Sequence, residues 1–124
     1  MEEAAVVTGA SAGIGEAIAR RLLDSGHTVI TLQRKPPRIS HARLVYMGVD
    51  LSDAQQAAEV AAEVAKQYGV RYLVNNAGFD RPATLLNVKG EDWDAVLGVH
   101  LKGTLNCMQA VAPHMIENQY GKII

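Results

Sequence analysis

Cysteine is almost missing from this chain. Cys107 is the only one, so no disulfide forms within the chain, and its place in an apolar run marks it as a buried thiol. That usage fits a reducing, cytoplasmic setting. An excess of either charge is also lacking: 12 Lys and Arg face 13 Asp and Glu, for a net charge of −1 spread along the chain. There is thus no electrostatic reason to expect nucleic acid or a membrane surface as partner. No apolar run approaches the roughly 20 residues needed to cross a bilayer. Met1 is followed by Glu2 and Glu3, the wrong sign for a secretory signal, so no targeting segment is expected. Internal repeats and low-complexity tracts are absent. What is present is 124 residues, 48% hydrophobic and 20% charged, a composition suited to one domain with a buried core.

Residues 4–7 form a short apolar run ending at Thr8-Gly9, as expected of a strand buried on both faces. After a glycine-rich stretch, Ile14, Ile18, Leu22 and Leu23 recur at helical spacing, and Gly26 is a natural stop. Residues 28–32 predict a second strand, Pro36-Pro37 an irregular loop, and residues 44–47 a third strand. Ser52 is the expected N-cap of an alanine-rich helix whose Ala57, Val60, Ala61, Val64, Ala65 and Tyr68 share one side. Residues 72–74 predict a fourth strand leading into Asn75-Asn76-Ala77-Gly78, and residues 79–90 a loop around Pro82. A long helix then carries Trp93, Val96, Leu97, Leu101, Leu105 and Met108, with Pro113 as a candidate bend. Lys122-Ile123-Ile124 opens a fifth strand, inside which the sequence stops. This alternation predicts an α/β fold: a doubly wound parallel sheet of Rossmann type, three layers deep, in one domain spanning residues 1–124 and incomplete in its fifth strand.

Chemistry concentrates in the glycine-rich stretch. Gly9, Gly13 and Gly15 follow the spacing G-x-x-x-G-x-G between the first strand and the first helix. Gly9 allows a tight turn, Gly13 lets the backbone approach a phosphate, and Gly15 lets the helix pack closely. The first helical N–H groups, lacking internal partners, point toward an anion, and the Ser11 hydroxyl adds a donor. Where an NAD site would place Asp or Glu, at the end of the second strand, stand Gln33 and Arg34, with Lys35 and Arg38 nearby. A guanidinium grips a 2′-phosphate, so NADP(H) is favoured over NAD(H).

The glycine string together with Asn75-Asn76-Ala77-Gly78 resembles the short-chain dehydrogenase/reductase family, over the whole chain from Ala4 to Ile124. The resemblance implies hydride transfer between a nicotinamide and a carbonyl or alcohol substrate. It implies that Gly9, Ser11, Ala12, Gly13, Ile14 and Gly15 hold the diphosphate and adenosine ribose, with Arg34 beside the 2′-position. It implies that Asp50 and Leu51 hold the adenine, that Asn76, Ala77 and Gly78 pass under the coenzyme, and that Asn75 ties neighbouring strands. It also implies a homo-oligomer, a dimer or tetramer, formed through the long helix over residues 91–116.

Two departures stand out. His100 occupies the place of the family's supporting asparagine; a histidine both donates and accepts hydrogen bonds and could serve a proton relay or simply be packed. The family's serine, and its Tyr-x-x-x-Lys pair, fall beyond Ile124, and none of Tyr46, Tyr68, Tyr72 and Tyr120 has lysine four residues later. On this reading the 124 residues are the N-terminal, cofactor-binding half of an oxidoreductase and are expected to be inactive alone. The alternative is a short nucleotide-binding protein that is not catalytic or that assembles with a partner. His27, His41 and His114 are spaced for no metal site.

Overall fold

The computed structural model describes residues 3–124; Met1 and Glu2, which bear on the expected lack of a targeting segment, lie outside them. Five parallel strands form one sheet in the order β3-β2-β1-β4-β5: β1 (Ala4–Thr8), β2 (Thr28–Gln33), β3 (Leu44–Gly48), β4 (Val70–Val74) and β5 (Lys122–Ile123). Every residue of β1 and β2 is buried, because these central strands are covered on both faces. Alternation along the strands sends Ala4, Val6, Ile30 and Leu32 to one face and Val7 and Val29 to the other.

Helix α1 (Gly13–Asp24) covers the second of these faces with Ala19 and Leu23. The Gly26 backbone, at φ +93°, closes α1, and the amides of Gly26 and His27 return to Leu23 and Leu22. The other face carries α2 (Ala54–Gln67) and α4 (Thr104–Glu117), which meet through Ala57, Ala61, Val64, Cys107, Val111 and Met115. The alanines of α2 keep its backbone close to α4. The result is the expected three-layer, doubly wound arrangement.

Three local expectations are corrected. Ile14, placed on the core stripe of α1, is 74% exposed in the helix's first turn, whereas Ala19 and Leu23 further along are buried against β1 and β2. The N-cap of α2 is Asp53, not Ser52: the Asp53 carboxylate accepts the Gln56 amide at 3.1 Å, while the Ser52 hydroxyl is spent on Asp50. The helix expected over residues 91–116 is not regular. It begins as α3 (Gly90–Leu97), widens into a π-type turn over Gly98–Gly103, and resumes as α4, running on through Pro113. The irregularity thus lies at the His100 turn.

Candidate functional site

The turn between β1 and α1 is shaped by its glycines. Gly9 has φ +72°, and a Cβ there would come within 2.9 Å of the Ala77 Cα. Gly13 has φ +60° with nothing within 4 Å of a built Cβ, so its requirement is conformational and its outer side is open. A Cβ on Gly15 would overlap the Gly9 carbonyl and the Asn76 amide, so the missing side chain lets α1 press against the turn. Ala12 caps α1 in an extended conformation without a side-chain hydrogen bond, leaving the first amides of the helix free for a ligand.

Two amide side chains fasten this turn. On one flank, Gln33 Oε1 accepts the Ala10 N–H at 3.2 Å, while Gln33 Nε2 donates to Thr31 Oγ1 at 3.3 Å. On the other, Asn76 Nδ2 donates to the carbonyls of Thr8 at 3.2 Å and Gly9 at 3.0 Å. The Thr8 hydroxyl accepts the amides of Asn76 at 3.0 Å and Ala77 at 2.9 Å. The side chain that ties β4 to the turn is therefore that of Asn76. Asn75 contributes its backbone amide to the Ile124 carbonyl at 2.7 Å, and its buried Nδ2 has no partner among the described residues. In the sequence, Gln33 is marked only by not being acidic. The structure buries it at the end of β2, where its amide finds partners in the turn and in Thr31.

Arg34 and Lys35 follow β2 and make no side-chain hydrogen bond or ion pair with the described residues. Arg38 is different: it is paired with Glu16 of α1 at 2.9 Å. Across the cleft, Asp50 Oδ1 accepts the Ser52 hydroxyl at 2.6 Å and the Ser52 amide at 3.0 Å. These bonds, the hydroxyl's above all, hold the Asp50 carboxyl below the usual carboxylate range. Leu51 beside it is buried.

His100, on the π-type turn, lies against Gly78, where even a methyl group would overlap the imidazole. Its Nε2 is 3.1 Å from both the amide nitrogen and the carbonyl oxygen of Phe79. The guanidinium of Arg81 stacks 4.6 Å from the Phe79 ring centre and lies 3.6 Å from Asp92 of α3. The absence of a side chain at Gly78 thus makes room for His100.

These parts surround a cleft of about 510 Å³ beyond the carboxyl ends of the strands, where the order reverses between β1 and β4. Of the expected site residues, Gly9, Ser11, Arg34, Asp50, Leu51, Ala77 and Gly78 line it, together with Gln33, Lys35, Val49, Ser52, Phe79, Arg81, Ala95 and Val99. Ala12, Gly13, Ile14, Gly15, Asn76 and His100 do not form its lining. Among the described residues no cluster of His, Cys, Asp and Glu could hold a metal ion, and no helix is long and apolar enough to cross a membrane.

A family model described as short chain dehydrogenase matches residues 3–124. The 3-oxoacyl-(acyl-carrier-protein) reductase FabG of Thermotoga maritima is 38% identical over 129 residues, 96% of this chain and 52% of that protein. The short-chain reductase protein NovJ of Streptomyces niveus is 37% identical, over 99% of this chain and 51% of that protein. Among solved structures, a metagenomic short-chain oxidoreductase in complex with NADP superimposes with a TM-score of 0.88 at 36% identity, over 98% of this chain and 59% of that one. A short-chain dehydrogenase from Streptomyces avermitilis gives a TM-score of 0.89 at 29% identity, over 98% of this chain and 47% of that one. The chain spans about half the length of the curated relatives it matches. With the glycine turn, the sheet order and the family match in agreement along the described residues, the chain belongs to the short-chain dehydrogenase family.

Proposed function

We propose that this chain holds NADP(H) and is the coenzyme-binding part of an oxidoreductase that acts on a small carbonyl or alcohol substrate. The observation that carries the reading is the cleft of about 510 Å³ running from the glycine turn past Arg34 and Asp50 to Ala77-Gly78. Its residues fit the coenzyme. Beside the cleft rather than in its lining, the open side of Gly13 and the free amides of α1 suit a diphosphate. Arg34 and Lys35, whose side chains make no hydrogen bond or ion pair with the described residues, suit a 2′-phosphate. Asp50 stays ionised and can accept from the adenine amino group, while Leu51 offers an apolar contact. When bound, the nicotinamide supplies hydride chemistry; the chain's own task is to hold and orient it. The NADP-bound relative and the reductase names of FabG and NovJ support the same choice.

His100 is read as a positioning residue rather than a proton carrier, since its Nε2 is engaged by Phe79. The same reading places the protein in the cytoplasm and pairs two copies along the helix that carries the exposed Trp93, Leu101 and Leu105.

The test is fluorescence titration with NADPH and NADH. The wild-type chain is expected to bind NADPH more tightly. Arg34→Leu should weaken NADPH by about tenfold or more and NADH by about twofold or less. An equal loss for both coenzymes overturns the 2′-phosphate assignment, and no binding of either overturns the function.

A further inference from the structure

Arg38 looks from the sequence like one more cation beside a 2′-phosphate. Its contacts point elsewhere. Its Nε donates to Glu16 Oε2 at 2.9 Å, and its NH2 group lies 2.9 Å from the same oxygen. Arg20, one turn along α1, reaches Glu16 Oε1 at 3.3 Å. The Glu16 side chain, only 14% exposed, therefore sits between two guanidiniums, one of them from a loop 22 residues away. The Arg38 hydrogen bond is the chief reason its carboxyl titrates below the usual range.

Glu16 stands in the first turn of α1, next to Gly15. A carboxylate there suits an isolated helix, because it complements the positive end of the helix dipole. It opposes a second anion arriving at the same place. Two arginines and one glutamate leave this triad at a formal charge of +1, whereas Glu16 and Arg20 alone would sum to zero.

Resting on the coenzyme reading above, we infer that Arg38 sets coenzyme affinity through Glu16, cancelling a negative charge at the mouth of α1, and does not read the 2′-phosphate. Arg34 and Arg38 then divide the work. Arg34 separates NADPH from NADH, and Arg38 raises the affinity for both, since both carry the diphosphate.

The charge series makes this testable by titrating NADH and NADPH at low ionic strength. Arg38→Gln takes the triad to zero and should weaken both coenzymes by the same factor, about two- to fivefold, with the effect shrinking as salt is added. Glu16→Gln takes it to +2 and should tighten both. The double variant returns the triad to +1 and should bind like wild type. In parallel, NMR titration should show the Glu16 carboxyl moving up toward its ordinary value in Arg38→Gln. A selective loss of NADPH in Arg38→Gln overturns the inference, because Arg38 would then be a 2′-phosphate ligand. No loss in Arg38→Gln overturns it, and so does a double variant as weak as Arg38→Gln, which would make Arg38 a loop tether. In each of these cases the coenzyme reading survives. A wild-type chain that binds neither coenzyme overturns the coenzyme reading and this inference with it.

Discussion

His100 and Gly78 share one space: the imidazole fills the volume that a side chain at position 78 would need. Their substitutions should therefore be strongly coupled. Gly78→Ala forces the ring away from Phe79 and should destabilise the chain by about 1 kcal/mol or more. In a His100→Ala background the clash is gone and Gly78 has no left-handed φ to lose. There the same Gly78→Ala change should stabilise by about 0.5 kcal/mol through the unfolded chain. Urea denaturation of the four proteins checks this reversal of sign; equal effects in both backgrounds would mean that the two residues do not compete.

The Thr8 hydroxyl is almost fully buried and accepts two amides from β4's exit. Thr8→Val keeps the shape and removes the acceptor. The Asn76 amide retains the Val74 carbonyl at 3.1 Å, while that of Ala77 is left without a partner. The expected loss is about 1–3 kcal/mol. Thr8→Ser, which keeps the oxygen, should lose clearly less. If the two variants melt together, the hydroxyl does not hold the turn.

Gln119 has φ +55°, a left-handed backbone at the position just beyond α4 where glycine is favoured. The amide of Tyr120 closes the helix by donating to the Met115 carbonyl at 3.0 Å, so the conformation is imposed by the cap. Gln119→Gly relieves it and should raise stability by about 1 kcal/mol. A lower melting temperature in this variant would argue against the cap.

Burial pushes the Cys107 thiol up to about 11 from an ordinary 9.0. Between those values the unfolded chain has lost the thiol proton and the folded chain has kept it. Stability contributed by this group is thus complete below pH 9 and falls as pH rises toward about 11. Cys107→Ala should show a shallower decline across that window in denaturation curves at stepped pH. The native thiol should also resist a maleimide at pH 8 until the chain is unfolded.

Much of this was legible in the sequence because the governing forces are local or periodic. The strand β1 reads as a short apolar run and β2 as a β-branched one, and the glycine spacing announces the turn. The misplacements share a cause. Ile14 has the spacing of a core residue, but spacing cannot show that its side chain is left uncovered at the start of α1. The π-type turn at Gly98–Gly103 leaves no mark in hydrophobic period. Ser52 and Asp53 are both good caps, and the choice fell to whichever side chain Asp50 did not engage. Arg38 and Glu16 are 22 residues apart, and only the fold makes them partners.

Gln33 and Asn76 grip the glycine turn from opposite flanks. A segment held twice has already surrendered the conformational freedom that an untethered glycine stretch would give up on meeting its guest. Recognition there should proceed as lock-and-key, with empty and loaded backbones superimposable from Gly9 to Gly15, and with affinity drawn from a shape present in advance rather than moulded on arrival.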